Sequence, residues 1–148
     1  MADSKTSDLT ALTGANLDND ADVLPVVDTS ATTLKKITGS QFKAAVQNSQ
    51  SAAYTFLITD AFKHILHPAS DNNARTFTIP ANASVAFPVG TMITIMNEVN
   101  TITIAITTDT LNFVGDGTTG SRSLAAYGMA TLLKTGTTSW WINGTNLT

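Results

Sequence analysis

The sequence predicts a mainly β protein: an antiparallel β-sandwich or jelly-roll-like module, preceded by an extended N-terminal arm and one short helix. Three observations lead there. From Arg75 to Met96 the chain alternates, with Phe77 and Ile79 on one side and Thr76 and Thr78 on the other; it breaks at Pro80 and at Pro88-Val-Gly90, and restarts at Thr91. Period-two alternation cut by Pro and Gly marks half-buried strands. Threonine fills about one position in six and Glu98 is the only glutamate, a bias toward the wet face of a pleated sheet and away from helix interiors. Finally, strand-length apolar runs recur through the last hundred or so residues at a spacing that suits a sandwich or small barrel.

Taken in order, Met1 to Asn19 is polar, with Leu9, Leu12 and Leu17 among Thr, Asn and Asp. Such a segment buries too little apolar surface to order alone, and its leucines suit an arm that docks on another surface. Val23-Leu-Pro-Val-Val27 reads as an edge strand, because Pro25 has no N–H for a ladder. Leu34–Ile37 is a second short strand. Thr38 with Gln41 three residues on reads as a capping box, opening a helix through Phe42 and Val46 to about Gln50. Asn48-Ser-Gln-Ser51 is linker-like and divides the chain into residues 1–50 and 51–148.

In the second part, strands are expected at Tyr54–Ile58, Lys63–Leu66, Thr76–Ile79, Thr91–Met96, Thr101–Thr107 and Thr110–Val114. Arg122–Ala125, Met129–Lys134 and Ser139–Asn143 follow. The clearest is Thr101–Thr107, with Ile102, Ile104 and Ile106 facing inward. Turns fall at Glu98–Asn100, Gly115–Gly120 and Thr135–Thr137.

Charge narrows the partners. Only 13% of residues are charged and the net charge is −3, a poor surface for a lone soluble domain and a sign of oligomerisation. Residues 1–28 hold six aspartates against Lys5, whereas the remainder holds five acids and seven bases. An acidic leader before a near-neutral body lacks the basic stripe of a nucleic-acid binder. There is no cysteine, hence no disulfide. No apolar run reaches membrane-spanning length and no basic-then-apolar signal pattern opens the chain.

Several motifs suggest chemistry and fail on their own terms. Ser40-Gln-Phe-Lys43, Ser70-Asp-Asn72 and Lys134-Thr-Gly136 match the three elements of serine β-lactamases in order. The segments between them are too short for the helical region that mechanism needs, and Lys134-Thr-Gly136 reads as a hairpin end. His64 and His67 lack further ligands in the sequence for a metal site. Asp18-Asn-Asp-Ala-Asp22 has the opening spacing of a calcium loop, but Val23 stands where its glycine belongs and Thr29 where its last acid belongs. Gly115–Gly120 lacks the Gly-Lys-Ser/Thr of a phosphate loop. Neither catalytic nor cofactor residues are expected. Trp140 and Trp141 are adjacent, so on a strand they face opposite ways. One belongs to the core and the other, with Tyr127, to a glycan or subunit contact.

Two stretches resemble a known family. Lys5–Leu17, Val23-Leu-Pro-Val-Val-Asp28 and Lys35-Lys-Ile-Thr38 resemble the virion-anchoring leader of tailed-phage tail fibres and tailspikes. Ala83–Thr91, Gly128–Lys134 and Thr138–Gly144 resemble a β module of those proteins and of small capsid-fibre and head-decoration proteins. The resemblance implies a homotrimer assembled in the host cytoplasm on a phage particle, with no catalytic residues to transfer. Tailspikes continue far beyond such a module, whereas this chain stops at Thr148, so a short virion protein is expected.

The expectation is therefore a non-enzymatic, homotrimeric head-decoration or fibre-type subunit. It docks on capsid or tail proteins through Leu9, Leu12, Leu17, Asp18, Asp20 and Asp22. The alternative is a tail-fibre or tailspike adaptor, or a host-attachment module binding surface glycan through Tyr127, Trp140 or Trp141. No cofactor, metal, nucleic acid or membrane insertion is expected in either.

Overall fold

The computed structural model of the chain describes residues 23–28, 33–38 and 45–148. The chain divides into two compact units, residues 1–44 and 45–148. In the first, β1 (Val23–Asp28) and β2 (Thr33–Thr38) form an antiparallel pair running from Val23 opposite Thr38 to Asp28 opposite Thr33. In a two-stranded ladder both strands are edges, so Pro25 is tolerated. Leu9, Leu12, Leu17, Asp18, Asp20 and Asp22, expected from the sequence to dock on a partner, lie outside the described residues.

The second unit holds nine strands: β3 (Gln47–Ser49), β4 (Tyr54–Thr55), β5 (His64–His67), β6 (Arg75–Ile79), β7 (Met92–Asn97), β8 (Ile102–Ile106), β9 (Thr110–Phe113), β10 (Arg122–Gly136) and β11 (Ser139–Leu147). Their pairing corrects the antiparallel sandwich. β3, β5 and β7 stack in parallel on one side, and β4, β6 and β8 stack in parallel on the other. The chain crosses from one stack to the other and back, adding one coil each time. This is the winding of a short β-solenoid. Only the last part is antiparallel: β10 pairs with β7, β8 and β11, and β9 joins β11 in parallel. Alternation is the same in parallel and antiparallel strands, so the period predicted the strands but not their partners.

The expected helix to Gln50 is also corrected. Thr38 closes β2, and Gln47–Ser49 are strand; residues 39–44 lie outside the described residues. The coil above supplies backbone partners that a helix would have had to forgo: His64 N–H donates to Val46 O at 3.1 Å and Gln50 N–H to Leu66 O at 2.8 Å. Tyr54–Ile58 is shorter than expected, with strand only at Tyr54–Thr55 and a 3-10 turn at Ile58–Asp60.

Parallel stacking places like residues above one another. Ile65, Ile95 and Ala130 form one inward column, and Phe77 lies beneath Ile104. Both are part of one buried core with Phe56, Ile79, Ile93, Ile102, Leu111, Leu124, Leu132, Trp140 and Ile142. Edge-on aromatic contacts link Tyr54, Phe56 and Phe77 at 6.0–6.3 Å, and Phe87 with Trp140 at 5.5 Å.

β10, expected as two strands, is one, bent around the edge of the stack. Arg122–Leu124 pairs with β8 on one side, while Met129–Leu133 pairs with β7 on the other. The register with β11 shifts between Leu124 and Met129. At the bend Tyr127 takes φ 60°, and a Cβ on Gly128 would lie 2.6 Å from Leu124 Cδ1 and 2.8 Å from Thr145 O. Glycine is required there to let the strands close.

Candidate functional site

Three polar groupings lie inside the coil stack, and two surfaces stand out on it. The first grouping lies in the first coil. Asp60 is buried, and its Oδ2 accepts from the Tyr54 hydroxyl at 2.6 Å and from Leu57 N–H at 2.8 Å. Asn48 Nδ2 donates to Asp60 Oδ1 at 3.0 Å and to the Tyr54 oxygen at 3.1 Å, and Lys63 Nζ stands 3.6 Å from Oδ1. Burial first, and then the hydrogen bond to Asp60, push the Tyr54 phenol up to about 12. The phenol therefore serves as a fixed donor that holds a buried carboxylate.

The second grouping surrounds His67, which is fully buried. Its Nδ1 lies 2.7 Å from Asn97 Oδ1 and its Nε2 3.2 Å from Asp71 Oδ2. Asn97 Nδ2 is engaged as a donor to Asn100 O and Leu124 O. Both ring nitrogens are thus engaged by side-chain oxygens. Arg75 grips Asp71 through Nε at 2.7 Å and an Nη at 2.8 Å. That guanidinium first, and then the Asn73 amide, hold the Asp71 carboxyl well below the ordinary carboxylate range. The network ties β5, the loop after it, β6 and the end of β7 together.

The third grouping surrounds Lys134, which is 1% exposed. Its Nζ donates to Asn82 Oδ1 at 2.7 Å and lies 5.3 Å from the centre of the Trp140 ring. Asn82 N–H donates to the carboxylate of Asp109 at 3.1 Å and 3.3 Å. Burial lowers the Lys134 pKa, with the Asp109 charge working against it. Trp140 is 0% exposed, so of the three aromatic residues predicted to meet a glycan or subunit it is the one in the core.

Two elements of the β-lactamase-like pattern fall within these groupings. Asp71 bonds to His67, Asn73 and Arg75, Lys134 bonds to Asn82, and Ser40 lies outside the described residues. The two described motifs share no hydrogen bond. Among the described residues no cluster of three or more His, Cys, Asp or Glu is placed to hold a metal. Gly115–Gly120 is a turn between β9 and β10 in which Gly115, Gly117 and Gly120 take positive φ and Asp116 accepts from Thr118 N–H at 2.9 Å.

On the surface, Tyr127 is 79% exposed and Trp141 half-buried. Tyr127 is also held in the left-handed region, which costs a bulky residue roughly 1 kcal/mol or more. Strain of that kind is commonly kept where function requires it. The two outer faces differ. Outside β6 and β8, Thr76 is level with Thr103 and Ser123, and Thr78 with Thr55 and Ala105. Outside β5, β7, β10 and β11, Met92 is level with Leu133 and Trp141, while Leu66, Met96 and Met129 lie level with one another in a separate row.

The second and third groupings escaped sequence reading because each is closed by partners 27 to 52 residues apart, as with His67 and Asn97 or Lys134 and Asn82. Local spacings were present at Asp60–Lys63, His67–Asp71 and Asp71–Arg75, but three- and four-residue separations between charged or polar residues do not by themselves announce a buried network. No protein family matches the chain, and no curated protein or solved structure is significantly similar to it.

Proposed function

We propose that this chain is a non-enzymatic structural protein of a tailed-phage virion, a homotrimeric head-decoration or fibre-type subunit that docks on the particle through its N-terminal arm. The observation that carries the reading is the leader. Lys5–Leu17, Val23–Asp28 and Lys35–Thr38 resemble a virion anchor, and the first 28 residues hold six of the chain's aspartates. The body supports it by its construction: its buried Asp60, His67, Asp71 and Lys134 are bonded to side chains and backbone of neighbouring loops and strands, as a stiff spacer requires. Three arms on one trimer multiply a modest single-arm affinity through effective concentration.

The test is particle association. The full chain should cosediment with purified particles, and a variant lacking residues 1–28 should keep the body of residues 45–148 folded but stay in the supernatant. Particle binding retained by that variant contradicts the arm assignment.

A second reading has an observation of its own. Tyr127 is strained and almost fully exposed, as a side chain kept for contact would be. On this reading the chain is a tail-fibre or tailspike-type adaptor, or a host-glycan adsorption module. Loss of glycan-array binding in Tyr127→Ala with particle binding intact would favour it.

A further inference from the structure

We propose that Lys134 and Asn82 join covalently in the folded chain, by an amide bond between Lys134 Nζ and Asn82 Cγ formed with release of ammonia. The site lies wholly within residues 45–148 and does not depend on the virion reading.

A fully buried lysine is rare, and as a rule it is paired with a carboxylate. Lys134 is buried, yet among the described residues it takes part in no salt bridge. Its Nζ is aimed instead at a side-chain amide, donating to Asn82 Oδ1 at 2.7 Å. Cγ is one carbonyl bond from that oxygen, so it lies roughly 3–4 Å from Nζ, a range that includes near-attack separations. Backbone bonds hold both partners there. Lys134 N–H donates to Thr91 O at 2.9 Å, and Lys134 O accepts from Gly90 N–H at 2.8 Å, which pins the end of β10 against the turn before β7. Asn82 N–H is held by the Asp109 carboxylate, and Ala81 O beside it accepts from Ser84 N–H at 2.9 Å and Val85 N–H at 3.0 Å. The buried Trp140 ring lies across the amine and keeps that side dry. An amine and an unactivated amide do not combine in water; fixed geometry of this kind removes the entropic part of that barrier.

The surroundings also favour the reactive form of the amine. Burial lowers the Lys134 pKa, so the ammonium yields its extra proton to water at half-buried Asn82 more readily than an exposed lysine would. The nitrogen lone pair then attacks Cγ. As the Nζ–Cγ bond forms and the Cγ–Nδ2 bond breaks, one amine proton passes to Nδ2, which leaves as ammonia. Nothing is oxidised or reduced, and no co-reactant is needed. The product replaces a buried charge, which is costly, with a neutral secondary amide. Escape of ammonia into dilute solution makes the step irreversible. The link ties the turn after β6 to the end of β10, between residues 52 apart in sequence. In a chain without cysteine it restricts the unfolded state as a disulfide would.

Tryptic digestion of the full wild-type chain, read by peptide mass, tests the link. Cleavage after Arg75, Arg122 and Lys134 gives residues 76–122, 123–134 and 135–148 from an unlinked chain. The link blocks the cut after Lys134. The expected product is one branched peptide, residues 76–122 joined to residues 123–148 and lighter by one ammonia, with the free 76–122 and 123–134 peptides lost. Fragmentation should place the branch at Asn82 and Lys134. Lys134→Arg should restore the cut and return both peptides at the mass of their sequence. Free 76–122 and 123–134 peptides from the folded wild-type chain, with Asn82 still an amide, overturn the proposal. So does Asn82 converted to aspartate without a branch, or a loss of ammonia confined to Asn143-Gly144. The wild-type digest decides on its own, whether or not the variant folds.

Discussion

Replacing Gly144 with alanine asks whether β10 and β11 approach as closely as the coil stack requires. Gly144 pairs with Ala130, and a Cβ built on it would lie 2.3 Å from Met129 O, 2.8 Å from Ala130 Cα and 2.9 Å from Ala130 Cβ. Two of these three atoms are backbone in a strand hydrogen-bonded on both sides, so neither can rotate away. Overpacking of this kind costs about 1–3 kcal/mol, offset by about 0.4–1 kcal/mol from the less flexible unfolded chain. The net loss should be roughly 1–2 kcal/mol, or about 5–10 °C in melting temperature for a body of this size. Gly136→Ala is the internal control. There a Cβ meets only Ser139 Cβ at 3.4 Å, an ordinary contact, and the residue has no positive φ. That variant should melt within about 2 °C of the wild type or slightly above it. Paired urea and thermal melts followed by circular dichroism measure both. A Gly144→Ala variant as stable as Gly136→Ala would refute the close approach, and with it the hairpin's placement on the stack.

Three further outcomes follow from the buried groups and the bend. Asp71 has a folded pKa below its unfolded one, so its contribution is complete above the ordinary carboxyl value of about 4 and is lost as pH falls toward the folded value. Wild type should therefore melt above Asp71→Asn at pH 7, and the gap should narrow steadily below pH ~4; a constant gap down to pH ~2 contradicts the Arg75 grip. Tyr127→Phe leaves Tyr54 as the only tyrosine, and its ultraviolet titration should fall near 12. The raised value means stability present below about pH 10 and lost above it; a midpoint near 10 would place the phenol in water. Tyr127→Gly should raise the urea midpoint by the equivalent of about 0.5–1 kcal/mol, because glycine carries no penalty at φ 60°. An unchanged or lower midpoint removes the strain argument.

The strands were legible because alternation is a local property: Phe77 and Ile79, or Ile102 and Ile104, announce an inward face without reference to a partner. Partners were not legible. Whether Ile95 pairs with Ile65 in parallel or with a hairpin neighbour depends on which way the chain crosses the stack, and nothing in Met92–Asn97 encodes that. Local signals also lost to tertiary ones. The Thr38–Gln41 capping pattern favoured a helix to Gln50, yet β5 offered Gln47–Ser49 a complete ladder. Conversely, Tyr127-Gly128 marked the point where β10 bends, but an interruption and a bend have the same signature in sequence. The adjacent tryptophans were read correctly as facing opposite ways, although which one was buried depended on Phe87 and Lys134 from other segments.

The most direct test of the proposed virion role is electron cryomicroscopy of gradient-purified phage particles. It should show a compact threefold body on the particle surface, and that density should be missing altogether from particles offered the chain without residues 1–28. Particles whose protein content lacks the chain, or a body bound in single copies that persists after the deletion, would contradict the account.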